Sequence, residues 1–366
     1  MRRRLLRWAL AAGISLVAVA GLAAVVSADI RFLFRAGYEE ARLLLRRHSL
    51  ARLVANPSTP PALRARFEIV LAARAFAAES LAFKAGGTYT TYADVGRDTL
   101  VLVLSASPRT RLAEYAWWFP VVGAVPYHGY FSLAAGLSAT AGLKARGYDT
   151  YLRPAGAFST LGWFSDPLVS SAMARDSVTL VSTVLHEISH NTLYVPSATA
   201  FDESFANFAG LKGAERFFRS RGEAALADRA AAEWRDEMRL DDFYTGLSHA
   251  LDSVYSAPVD DAVKLGGRET VFRRARERMT KEIGPRFETY RAEWFTDRDL
   301  NNATVIAARI YRTRLGVFDR VLAHTGGDIR AAVRAIAEAV RANVGGSGDP
   351  FASVERLTSA ASTGSR

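Results

Sequence analysis

The chain has 366 residues, 49% of them apolar, and a formal net charge of +10. This composition argues against an intrinsically disordered chain and is sufficient for a large globular core. The arginine excess is interleaved with acids along predicted helices, and no nucleic-acid recognition motif accompanies it, so nucleic acid is not an expected partner. The sequence has no cysteine, so any metal must be held by His, Asp or Glu.

The N-terminal segment has the pattern of a membrane anchor. Four arginines among the first seven residues precede an apolar run from Trp8 to Ala28. The run approaches the roughly 20 residues that span a bilayer and exceeds an ordinary signal-peptide core. Residues 1–28 are therefore predicted to anchor the chain in the cytoplasmic membrane, and the arginines place the remainder outside it, for example in the periplasm. Cleavage after Val26-Ser27-Ala28, giving a secreted protein, is the alternative.

Residues 29–344 are predicted to form one domain of the α+β class that is mostly helical. Helical spacing covers about residues 30–55, 62–85 and 133–146. Short apolar or β-branched runs at 99–104, 149–153 and 158–164 predict a small mixed sheet that precedes the histidine motif described next. From about residue 205 the pattern is helical, whereas the Gly-, Ser- and Ala-rich tail over 345–366 is expected to be flexible.

The stretch His186-Glu187-Ile188-Ser189-His190 carries two of the six histidines. Asp176 is a good N-cap for a helix that runs into it, and Pro196 marks the end of that helix. Residues four apart lie on the same face of a helix, so both imidazoles can bind one ion. Leu193 and Pro196 stand where a metzincin would need Gly and His, which excludes that class.

A catalytic zinc site needs a third protein ligand and an open position. Thr199-Ala200-Phe201-Asp202 has the pattern of a helix start, in which Asp202 would favour the first-turn N–H groups. A helix that begins there can fold back beside the histidines, with Glu203 as the third zinc ligand. Asn207, four residues on, is predicted to accept a hydrogen bond from a ligating histidine, and an ordinary polar helix residue is the alternative. Glu187 is predicted to be the general base that takes a proton from the attacking water.

Ordered motifs run along most of residues 30–340. They are Thr91–Gly96, Trp118–Gly123, Tyr127–Phe131, Ser159–Phe164 and His186–Asn207, followed by Leu300–Ala303 and Tyr311. Together they resemble the bacterial putative-aminopeptidase family, an HExxH, zincin-like group. The resemblance implies a zinc-dependent peptidase outside the cytoplasm, with His186, His190 and Glu203 as ligands and Glu187 as base. Many members carry an N-terminal lipoprotein cysteine, which this chain replaces with the predicted anchor.

Other peptidase functions are assigned to individual residues. The strand at 158–164 is expected to be the sheet edge that binds substrate, through Leu161, Gly162 and Trp163, although a core strand is the alternative. Tyr311, or alternatively Tyr194, is expected to stabilise the oxyanion. His128 is expected to be a structural or surface residue. Asp166 and Asp202 are candidates for the acid that would bind the substrate's free α-amine.

The sequence therefore predicts a membrane-anchored, zinc-dependent peptidase that is aminopeptidase-like and acts on peptides. The alternative is a non-catalytic, membrane-anchored peptide-binding or scaffolding protein with a structural metal or none. The presence of Glu187 favours the enzyme, because a structural metal site needs no base beside its ligands.

Overall fold

The computed structural model describes residues 28–96, 101–119, 123–154, 167–174, 176–343 and 348–359. The predicted anchor, apart from Ala28, and the predicted substrate strand at 158–164 lie outside these ranges. Within the described ranges, no helix is long and apolar enough to cross a membrane.

The N-terminal part mixes helices with short strands. Its helices are α1 (Ala28–Leu45), α2 (Leu50–Ala55), α3 (Pro61–Glu79) and α4 (Leu133–Ala145). The helix predicted at 30–55 is thus interrupted, because His48 and Ser49 leave the helical path and pair with Tyr92 and Thr91.

Eight short strands in the described chain form two three-stranded sheets and a hairpin, rather than one mixed sheet. The first sheet has the order β1 (His48–Ser49), β2 (Thr91–Ala93), β8 (Leu168–Val169), with β1 antiparallel and β8 parallel to β2. The second is antiparallel and has the order β6 (His128–Tyr130), β3 (Leu102–Pro108), β7 (Tyr148–Pro154). Strands β4 (Trp117–Phe119) and β5 (Gly123–Val125) form the hairpin.

From residue 177 onward the described chain is mostly helical, and this part includes the two helices predicted around His186 and from Thr199. The α-helices are α5 (Ser177–Thr192), α6 (Thr199–Ser220), α7 (Ala224–Tyr255), α8 (Asp261–Arg278), α9 (Glu293–Thr296), α10 (Asn302–Ile310), α11 (Gly316–His324), α12 (Ile329–Arg341) and α13 (Pro350–Ser359). The protein is therefore α+β and mostly helical, as predicted.

The flexible tail predicted over 345–366 is wrong for residues 350–359, which form α13. Phe351 and Val354 of this helix are buried in the main core, and the Phe351 ring lies 5.1 Å from that of Phe201. Burying a side chain of this size contributes about 1.5–3 kcal/mol, enough to hold a short helix in place. In the sequence, Phe351 and Val354 stand among small and polar residues, so their spacing did not indicate a buried helix.

Helices α5 and α6 form a hairpin at the centre of the core. Val181, Val184 and Ile188 of α5 are fully buried, as are Phe205 and Phe208 of α6. A short connection between two helices makes them antiparallel neighbours. This packing brings the last turns of α5 against the first turns of α6, where the predicted metal ligands lie.

Candidate active site

The histidine helix begins and ends close to the predicted positions. Asp176 is the N-cap of α5, and its Oδ1 accepts hydrogen bonds from the backbone N–H groups of Val178 (3.0 Å) and Thr179 (3.1 Å). His186 and His190 lie one turn apart near the other end, with ring centroids 5.0 Å apart. Both side chains are partly buried. The helix thus presents two imidazoles from one face, as the spacing predicts.

Asp202 lies in the first turn of the helix that begins at Thr199, as predicted, and its carboxyl also makes a hydrogen bond outside that turn. The N-cap of α6 is Ala198, without a side-chain hydrogen bond, and Asp202 Oδ1 instead accepts from the backbone N–H of Val195 (2.8 Å). Asp202 is buried, and burial raises its pKa to about 7 although the Val195 bond acts against this shift. This hydrogen bond therefore holds the loop between α5 and α6 in place. The loop in turn determines where Glu203 lies.

Glu203 meets both histidines. Its Oε2 lies 3.1 Å from His186 Nε2 and 3.9 Å from His190 Nε2. Ligand atoms of all three residues lie within 4.8 Å of one another. In a tetrahedral zinc site with bonds of about 2.0–2.2 Å, ligand atoms are about 3.4 Å apart, and a His₂Glu set with one open position is a common catalytic arrangement. The three side chains therefore fit a zinc ion.

The pKa shifts of His190 and Glu203 favour the protonation states that metal ligands need, whereas the shift of His186 favours its protonated form. Burial and the neighbouring His186 lower the pKa of His190 to about 4, although Glu203 acts in the opposite direction. Burial would raise the pKa of Glu203, but its hydrogen bond to His186 outweighs this and the pKa is lowered. For His186, burial is outweighed by Glu203 and Glu187, so its pKa is raised. At neutral pH, His190 is neutral and Glu203 is ionised.

Tyr311 and Arg153 lie beside this cluster. The ring centroid of Tyr311 is 6.3 Å from that of His186, and the Arg153 guanidinium is 6.0 Å from the Tyr311 ring. Burial, followed by the charge of Glu203, raises the pKa of Tyr311 to about 12, against the effect of Arg153. The phenol therefore remains protonated at neutral pH and is a hydrogen-bond donor.

Asn207 supports the Tyr311 segment. Its Nδ2 donates to Glu237 Oε2 (2.9 Å) and to the backbone carbonyl of Tyr311 (3.3 Å). Glu237 also accepts from the Tyr290 hydroxyl (2.6 Å) and from Arg312 Nη2 (2.7 Å). Among the described residues no histidine donates a hydrogen bond to Asn207 Oδ1, so the predicted contact is not found, and the bonds of Nδ2 instead tie α6 to the end of α10.

Comparison with known proteins identifies the family of this chain. A family model described as "Putative aminopeptidase" matches residues 31–343. The chain belongs to this family. The membership confirms the resemblance drawn from the sequence motifs and supports a peptidase activity. No curated protein and no solved structure gives a match.

In this member of the putative-aminopeptidase family, glycines allow α6 to approach α5 closely. A Cβ at Gly210 would lie 2.7 Å from the Ser182 carbonyl oxygen and 3.2 Å from His186 Cβ. A Cβ at Gly213 would lie 2.9 Å from Leu185 Cδ1. The absence of a side chain at position 210 thus sets the distance between the helix of Glu203 and the helix of His186.

Gly210→Ala is expected to weaken zinc binding and to destabilise the protein by about 1–3 kcal/mol, the usual cost of overpacking. The obstructing atom is a helix carbonyl, which cannot rotate away. Zinc titration and Tm measure the two effects. Gly266→Ala is the matched control, because it is also helical and its Cβ would meet nothing within 4 Å. Equal stability and zinc affinity in the two variants would contradict the packing argument.

The other residues with predicted roles lie outside the ligand cluster or outside the described ranges. Leu161, Gly162 and Trp163 lie outside the described residues. Tyr194 is 65% exposed. His128 is buried, its Nδ1–H donates to the Gly129 carbonyl (2.8 Å), and its ring stacks on Tyr130, which agrees with a structural role.

Sequence reasoning missed Arg153 and Tyr127 as neighbours of the cluster. Partial burial and, second, the charge of Glu203 raise the pKa of Tyr127, which is 39% exposed, so its side chain lies within electrostatic reach of Glu203. Tyr127 stood in a motif that supported the family resemblance, which was the available signal. Arg153 ends a correctly predicted strand, but no spacing relates it to the cluster residues, which are 33 to 50 positions away.

Proposed function

We propose that the protein is a zinc-dependent peptidase, aminopeptidase-like, with the HExxH glutamate as general base. The observation that carries this proposal is the convergence of His186, His190 and Glu203, whose ligand atoms lie within 4.8 Å of one another. The set leaves a fourth position for water or substrate. Membership of the family supports the reaction class.

The chemistry divides among a few side chains. Zinc held by His186, His190 and Glu203 would acidify a water and polarise the scissile carbonyl. Glu187 takes the proton of the attacking water and delivers it to the leaving nitrogen, so a C–O bond forms as the C–N bond breaks. The products are a carboxylic acid and an amine.

The surroundings of Glu187 support this proposed role. It follows His186 on α5, is partly buried, and its charge acts on both His186 and Tyr311. Glu187 therefore lies within electrostatic reach of a proposed ligand and of the phenol. Tyr311, protonated at neutral pH, donates its hydrogen to the oxyanion as the carbonyl carbon becomes tetrahedral.

Tyr311→Phe is expected to lower kcat by roughly 100-fold, within the range for loss of one oxyanion donor, and to leave zinc content unchanged. Tyr194→Phe is the matched control, because Tyr194 is the alternative donor and is mostly exposed. Steady-state kinetics with parallel zinc analysis make the comparison. A loss of turnover in Tyr194→Phe with normal turnover in Tyr311→Phe would transfer the role to Tyr194.

The proposal is tested with the full-length protein on a panel of short peptides, after chelation and after zinc is restored. Hydrolysis that is lost on chelation and restored by zinc supports it. Each peptide is also presented with an acetylated N-terminus, which an aminopeptidase will not accept. Hydrolysis that is insensitive to chelation would contradict zinc dependence, and stoichiometric zinc without hydrolysis would favour the scaffolding alternative.

We further propose that the catalytic part lies outside the cytoplasmic membrane, anchored by residues 1–28. The support is the arginine-flanked apolar run in the sequence. Carbonate extraction of membranes distinguishes an anchored chain, which stays in the membrane, from a cleaved one, which is released.

A further inference from the structure

A cleft of about 190 Å³ opens next to the candidate active site. Arg153 and Tyr311, which lie beside the zinc ligands, also line this cleft. Its walls include the aromatic side chains of Tyr151, Tyr244, Trp294 and Phe295. A molecule bound at the ligands can therefore extend into this cleft.

The fold fixes which way Arg153 faces. Arg153 is paired with Val103 of the central strand β3, so its backbone is held by the sheet. Alternate residues of a strand face opposite sides. Leu152 packs against Gly136 of α4, whereas Tyr151 and Arg153 line the cleft on the other side.

The charges of the lining favour an anion. The charge of Arg312 is neutralised by Glu237, whose Oε1 accepts a hydrogen bond from Arg312 Nη2 (2.7 Å). Arg298 donates to the Tyr151 hydroxyl (3.3 Å), and the ion pairs of the described residues include neither Arg298 nor Arg153. Asp299, the one acid of the lining, is 82% exposed on its side chain and lies 3.9 Å from Lys144. Arg153 and Arg298 therefore face the cleft outside the ion pairs of the described residues, and the charge of Arg153 also acts on Glu203 and Tyr311.

We propose that this cleft binds a carboxylate of the peptide substrate, with Arg153 and Arg298 as its cationic contacts and the aromatic walls around the adjoining carbon chain. The proposal rests on the peptidase function proposed above and specifies its substrate class. The carboxylate is either the C-terminal group of a short peptide or the side chain of Asp or Glu. Guanidinium groups bind carboxylates in both settings through charge-assisted hydrogen bonds.

The test uses four tripeptides, Ala-Ala-Glu and Ala-Ala-Gln, each with a free or an amidated C-terminus. Calorimetric titration into zinc-loaded Glu187→Gln protein measures binding without turnover, and the unmodified protein measures cleavage. Peptides with the recognised carboxylate are expected to bind about 10- to 100-fold more tightly than their amides, as for a hydrogen bond to a charged group. Arg153→Gln and Arg298→Gln should remove this preference, and Arg153→Lys should restore part of it relative to Arg153→Gln.

The control is Arg273→Gln, an exposed position on α8 outside the cleft lining, which should keep the preference. Dependence on the C-terminal group assigns the cleft to the α-carboxylate, and dependence on Glu against Gln assigns it to the side chain. Equal binding of all four peptides, or a preference that survives in both arginine variants, overturns the subsite. If the carboxylate preference holds but no peptide is cleaved, the subsite stands and the proposed peptidase function fails.

Discussion

Replacing Glu187 with glutamine is expected to lower kcat on peptides by about a thousandfold or more while zinc content stays near that of the unmodified protein. Glutamine has the same shape but cannot accept the proton of the attacking water, and a positioned general base contributes roughly 10²–10⁴-fold. The substituted residue neighbours a ligand in sequence without belonging to the three-residue ligand cluster. Steady-state kinetics and elemental analysis on the same preparation make the measurement.

Two comparisons make the Glu187→Gln result specific. An unchanged Tm would show that the loss is chemical rather than structural. Glu282→Gln changes a carboxylate that is 68% exposed on its side chain and lies outside the ligand cluster, so it should leave kcat unaltered. A Glu187→Gln protein that keeps kcat within tenfold of the original would remove Glu187 from the mechanism.

Glu203→Ala is expected to reduce zinc affinity by at least about 100-fold. Even groups that only support a ligand typically contribute 10–100-fold to metal affinity, so loss of a ligand should cost more. The change also removes the 3.1 Å contact with His186 Nε2. Competition with a chromogenic chelator measures the affinity.

Asp202→Asn is the matched variant for Glu203→Ala. Asparagine retains an oxygen that can accept from the Val195 N–H, so the loop between α5 and α6 should persist and zinc should bind normally. Loss of zinc in Asp202→Asn together with normal binding in Glu203→Ala would move the third ligand from position 203 to position 202.

Local patterns in the sequence were sufficient to predict the histidine helix, α5, and the helix that packs against it, α6. Three local features place Glu203 opposite both imidazole rings. They are the cap at Asp176, the four-residue spacing of His186 and His190, and a short turn before Thr199. These features depend on backbone geometry within about 30 consecutive residues. The sequence therefore predicted which three residues would meet, whereas the hydrogen-bond partners of Asp202 and Asn207 became known only from the structure.

Contacts between distant segments could not be derived in this way. The partner of Asn207 is Glu237, 30 residues further on, and their meeting depends on how α7 packs against α6. Arg153 reaches the site only because β7 lies beside β3 and α10. The requirement for glycine at position 210 follows from a helix separation that no single-sequence pattern encodes.

The strands show the same limit. Several short extended segments were predicted, but whether they join into one sheet or two depends on pairing between residues far apart in the chain. Tyr92, for example, pairs with Leu168, 76 positions away by residue number. The order of the strands therefore became visible only in the structure.

The central claim is that His186, His190 and Glu203 hold one zinc ion, and elemental analysis of the purified full-length protein tests it most directly. The account predicts close to one zinc per chain, retained in Glu187→Gln and lost in Glu203→Ala. Absence of metal from the protein after exposure to excess zinc, or stoichiometric zinc that persists in Glu203→Ala, would contradict it.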